Sequence, residues 1–119
     1  MALSKIIIEY LPQDRMRYDT TGDWFFDAEG NLVIQVVGGD PFDQDEAFLV
    51  ALHELVEVKL CHSAGITQGA VDAFDFTFEG EGEPGDHPDA PYREQHRRAM
   101  LIEHLMANFL GKTDYGRVE

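Results

Sequence analysis

The chain has 119 residues, enough for one domain around a single hydrophobic core. Apolar residues make up 44% of it, which excludes a disordered chain, and 23 acidic against 9 basic residues leave a net charge of −14. A field of that sign repels nucleic-acid phosphates and anionic membrane surfaces, so neither is an expected partner; cations and basic proteins are. One cysteine, Cys61, excludes an internal disulfide framework and fits a reducing cytoplasm. The run Ile6–Ile8 is too short for a signal-peptide core, and no stretch approaches a membrane span. A cytoplasmic protein is expected.

In chain order, Lys5 to Tyr10 reads as an isoleucine-rich strand closed by Pro12. A hairpin follows, with strands Trp24–Asp27 and Leu32–Val37 joined by a turn over Ala28–Asn31 that contains Gly30-Asn31. Three strands over about 5–37 predict a small antiparallel sheet. A helix is predicted over 41–62, with Asp40 as its cap, Pro41 at its first position and Asp43, Asp45 and Glu46 complementing the dipole. Residues 64–91 read as an acidic loop region, with a short helix in "ITQGAVDAF" and strand-like alternation in "FDFTFEG". A second main helix is predicted over 92–110, ended by Gly111. The fold class is α+β, a single domain with a three-stranded sheet packed on two main helices.

The side chains that carry chemistry emerge when both helices are drawn at about 100° per residue. With His53 at 0°, Glu57 falls near 40° on the same face, among Leu49, Val50, Val56, Leu60 and Cys61. Glu54 lies at the edge of that apolar arc, and His62 on the opposite side of the helix. On the second helix His96 and Glu103 share a face with Tyr92, Ala99, Met100, Met106, Ala107 and Leu110. Burying an ionised carboxylate without a partner costs several kcal/mol, so two apolar faces that each carry His plus Glu require an explanation. If the faces meet, His53, Glu57, His96 and Glu103 converge into a set that suits a divalent metal, zinc first. A metal-free polar network, with Arg93 or Arg97 neutralising a carboxylate, is the competing explanation. Asp72 and Asp75 are candidate supporting groups, while His87 and the remaining loop acids read as solvated.

The stretch "HELVE", His53 to Glu57, resembles the HExxH motif of zincin metallopeptidases, and the preceding strand "NLVIQV" stands where those enzymes place an edge strand. The resemblance implies a zincin-like arrangement with His53 as a zinc ligand and Glu54 as the general base that activates water. Glu57 replaces the second histidine; carboxylate can still coordinate, but its charge makes the metal a weaker Lewis acid. The stretches "VDAFD", "EPGD", "APY" and "IE" are also similar to those of small phage and prophage proteins, a likeness that carries no activity. The expected function is a metal-binding protein with metallohydrolase chemistry on a peptide-like substrate, His53, Glu57, His96 and Glu103 at the metal, and Glu54 and Tyr92 catalytic. The alternatives are an acidic protein that binds a basic partner in imitation of nucleic acid, and a virion component with a structural metal.

Overall fold

The computed structural model describes residues 4–115. Three strands, β1 (Ile6–Leu11), β2 (Gly22–Phe26) and β3 (Leu32–Val37), form one sheet, followed by helices α1 (Asp45–Ser63), α2 (Gln68–Thr77) and α3 (Arg93–Phe109). The class is α+β.

The sheet is mixed, not antiparallel. Its order is β1-β3-β2, with β2 antiparallel to β3 and β1 parallel to it, Ile6 opposite Leu32 and Leu11 opposite Val37. β3 is the most uniformly apolar strand, and the central position buries both of its faces. Linker 12–21 therefore carries the chain past the end of β3, and β2 becomes an edge. The hairpin turn is held by the Asp27 carboxylate, which accepts the backbone N–H groups of Glu29 and Asn31; this ends β2 at Phe26, one residue before the predicted end.

α1 begins at Asp45 rather than near Pro41. Asp40 is engaged in a turn instead of a cap: its side chain accepts the Phe42 N–H and its carbonyl accepts the Gln44 N–H. Pro41 then occupies a turn position that its fixed φ suits. Trp24, Leu32, Ile34 and Val36 on the sheet pack with Ala47, Ala51, Val58 and Cys61 of α1 as the core. α3 packs on another side of α1, so the helix is buried on more than one face, including His53, Glu54 and Glu57.

The predicted strand "FDFTFEG" is largely helical. α2 is capped by Thr67, whose hydroxyl accepts the Ala70 N–H, and it turns Val71 and Asp75 inward at helical spacing. After it, a 3₁₀ turn (Pro84–Asp86) is laid against α3. Among the described residues no helix is long and apolar enough to cross a membrane.

Candidate metal centre

α1 and α3 bring three donor atoms to one point. His53 Nε2 lies 3.0 Å from Glu57 Oε2 and 3.2 Å from His96 Nδ1, and that His96 nitrogen is 3.0 Å from the same Glu57 oxygen. All three residues are at most 5% exposed. Tetrahedral zinc, with bonds of ~2.0–2.1 Å, sets its ligand atoms about 3.3 Å apart. The triangle needs to open by only about 0.1–0.3 Å to match. His53, Glu57 and His96 can therefore hold a metal ion.

What surrounds the triangle orients it. On its other ring nitrogen, His53 Nδ1 meets Glu103 Oε1 at 2.7 Å, and the second Glu103 oxygen accepts the Tyr115 hydroxyl at 2.6 Å. Glu103 is thus turned to the far side of the imidazole, where it fixes the ring instead of adding a fourth donor. Glu57 Oε1 accepts the Trp24 indole N–H at 3.1 Å, leaving Oε2 to face the histidines. The outer nitrogen of His96 lies 3.2 Å from both Glu83 Oε2 and Asp86 Oδ1. The Glu103 carboxylate behind His53 is the usual second contact of a metal-binding imidazole, whereas Glu83 and Asp86 stand close to His96 Nε2 without a hydrogen bond to it.

Glu54 completes the group. Its Oε2 stands 3.7 Å from His53 Nε2, farther than the three converging atoms but on the same side of the ring. The one glycine of β2, Gly22, makes this approach possible: a Cβ there would fall 2.6 Å from Val50 Cγ1 and 3.1 Å from the Glu54 side chain. Between β2, α1 and α3 lies a cavity of about 60 Å³. Six carboxyl groups line it (Asp23, Glu54, Glu57, Asp75, Glu83 and Glu103), and no Lys or Arg does among the described residues.

The ionisation pattern follows from burial and these contacts. Burial pushes the Glu54 carboxyl well above the ordinary range, and the neighbouring Glu57 charge adds to it. Burial works the same way on Glu57, but hydrogen bonds from His53 and His96 outweigh it and bring the carboxyl down to about 2. Burial disfavours charge on both histidines, yet the carboxylates prevail: Glu103 and Glu57 raise His53 to about 11, and Glu57 and Glu83 raise His96 to about 10. Two imidazole nitrogens 3.2 Å apart, each drawn to keep a proton by the same oxygen, form a place where one cation can replace two protons.

Other sequence candidates are not part of the triangle. Tyr92 lines the same cavity and packs edge-on against His96, but its hydroxyl is directed to Asp75 Oδ1. Asp75 also accepts from Tyr18 at 3.1 Å, and Asp72 pairs with Arg17. His62 is exposed; His87 is exposed and packs beside Phe74 and Phe78. Arg93 and Arg97 are exposed, and Arg97 pairs with Glu94, so neither neutralises a buried carboxylate. Glu83 and Asp86 read as solvated loop acids in the sequence, yet both reach His96, and nothing in the sequence points to Trp24 or Tyr115 as contacts of the site. A lone tryptophan at an inward strand position signals burial only, and the other three act through chain segments that no periodicity places.

Comparison with protein-family models, curated proteins and solved structures finds no match, so the centre is read from its own chemistry.

Proposed function

We propose that the chain is a metalloprotein holding a divalent cation between His53, Glu57 and His96, and that this centre is hydrolytic. The observation that carries the reading is the buried triangle of two imidazole nitrogens and one carboxylate oxygen, each ring backed by a further carboxylate. Two histidines and one glutamate are a donor set of catalytic zinc, with a position left for water; iron(II) is the other common taker. When bound, the cation supplies Lewis acidity to water or to a carbonyl oxygen. Glu54 is the proton acceptor. Its carboxyl faces the same space without joining the triangle and is itself buried. Glu57 and His53 are held in place by Trp24 and by the Glu103–Tyr115 pair, so the donors are pre-positioned. The order of a strand, then a helix bearing "HELVE", is the zincin-like element of the reading.

A cavity of about 60 Å³ beside the triangle is roomy enough for ordered water. The outer edge of β2 is taken by Gln68, which accepts the Phe26 N–H, and by Arg17, which reaches the Trp24 carbonyl. An extended peptide therefore meets a partly occupied edge at β2, the strand beside the centre, and a small ester or amide is the favoured substrate class.

The test is elemental analysis of protein purified without chelator, followed by hydrolysis of p-nitrophenyl acetate. Wild type carries zinc or iron, His53→Ala loses it, and Glu54→Gln keeps the metal while losing turnover. Protein that takes up no metal on addition of zinc, iron or manganese overturns the reading. Full turnover by Glu54→Gln overturns its hydrolytic half alone.

A further inference from the structure

We propose that the acidic loop carries a second cation site on the outer side of His96, formed by Glu83, Asp86 and His96 Nε2, so that one imidazole serves two metals. The sharing rests on the inner site proposed above; the outer site itself does not.

His96 is 4% exposed, and its Nε2 is a buried polar atom without a hydrogen-bond partner among the described residues. Yet Glu83 Oε2 and Asp86 Oδ1 each stand 3.2 Å from it. Both oxygens therefore flank the ring nitrogen beside its N–H axis instead of lying on it, a poor arrangement for donor and acceptor. It suits three ligands on one face of a cation: octahedral bonds of ~2.0–2.3 Å place neighbouring ligand atoms about 3 Å apart. The three atoms all lie within 4.8 Å of one another.

The loop is shaped to bring the two acids there. Gly85 is buried against the imidazole, and a Cβ at that position would fall 2.5 Å from His96 Cγ and 2.6 Å from Nδ1. Only a residue without a side chain lets the Pro84–Asp86 turn rest on the ring, with Glu83 and Asp86 on either side of its edge. The two carboxylates are themselves 59% and 56% exposed, so water can fill the outer cation's remaining positions. Inner and outer sites thus differ: one is enclosed, the other opens to solvent and is richer in oxygen, which favours first-row divalent cations over softer ions. When both fill, the remaining ring N–H bond of His96 is exchanged for a nitrogen–metal bond and the proton leaves to solvent.

The experiment is calorimetric titration of chelator-stripped protein with zinc, on wild type, Glu83→Gln/Asp86→Asn and His53→Ala/Glu57→Gln, each checked for fold by circular dichroism. Two equivalents in wild type and one in Glu83→Gln/Asp86→Asn support the outer site; its loop acids are exposed, so that variant folds. Two equivalents in both, or one in both, overturn it, the latter while leaving the inner site standing. One equivalent that Glu83→Gln/Asp86→Asn loses and His53→Ala/Glu57→Gln keeps supports the outer site and overturns the inner. No binding to wild type overturns both. His96→Gln, which retains a polar group in the buried position, removes both equivalents; retention of either refutes the sharing.

Discussion

Glu57→Gln tests the inner triangle with little change of shape. The amide can still accept the Trp24 N–H through one atom, but the group facing His53 Nε2 and His96 Nδ1 loses its charge. A site that binds only the folded chain stabilises it by about 2.7 kcal/mol when free zinc is a hundredfold above the dissociation constant. For a chain between the size classes of small and medium domains, 1 kcal/mol moves the melting point by about 4 °C, so the inner cation is worth about 10 °C. The assay is the melting point by circular dichroism with and without zinc, for wild type and variant. Zinc bound at the outer carboxylates contributes to both proteins and cancels in the difference. The wild-type response exceeds the variant's by about 10 °C. Without metal the variant is also weaker, because two imidazoles lose their buried counter-charge, a loss of about 3–5 kcal/mol. Against a usual total of about 5–15 kcal/mol, that leaves the variant folded in all but the lowest part of the range. An equal zinc response in the two proteins would refute Glu57 as a ligand.

Trp24→Phe removes the indole donor to Glu57 and weakens zinc binding about 10–100-fold, the usual effect of losing a ligand's orienting contact, as read by competition with a chromogenic chelator. Unchanged affinity would show that Glu57 needs no such support. Gly22→Ala forces a methyl to within 2.6 Å of Val50 Cγ1 and lowers stability by about 1–3 kcal/mol in denaturant titration; a neutral result would mean that β2 and α1 separate freely. Burial raises the Asp75 carboxyl to about 6 against hydrogen bonds from Tyr92 and Tyr18 that lower it. The folded chain therefore binds more protons than the unfolded one between about pH 4 and 6, and this residue's contribution to stability falls as pH rises through that window. Asp75→Asn removes the slope, so wild type minus variant stability drops by about 2 kcal/mol from pH 4.5 to 7 at most, and by less where solvent screens the carboxylate. A difference that is constant with pH would refute the assignment.

The histidines and glutamates were legible in the sequence because helical spacing alone puts His53 with Glu57, and His96 with Glu103, on otherwise apolar faces. An apolar face must be covered, and α1 and α3 cover one another. The same reasoning placed Glu54 only at the margin of its arc, whereas the structure buries it at 7% exposed, because β2 closes over that margin at a glycine. β3 was legible to the residue, since Leu32–Val37 is apolar and β-branched between turn residues. "FDFTFEG" misled because its alternating phenylalanines fit a strand as well as an amphipathic helix, and the Thr67 cap decides for the helix.

Local pattern thus determined which residues are buried together on each element: period and polarity are properties of neighbours in the chain. Tertiary structure decided everything that depends on direction in space. Strand order and the parallel β1–β3 pairing arise because the most apolar strand gains most from the centre of the sheet. The rank of each ligand was decided the same way. Glu57 and Glu103 look equivalent on a helical wheel, yet only Glu57 reaches the nitrogens that face one another, while Glu103 lies behind His53. Glu83 and Asp86 sit in a loop with no period to betray them, and they meet His96 only because Gly85 lets the backbone touch the ring. A carboxylate's chemistry is written in the sequence, but which nitrogen it faces is set by packing.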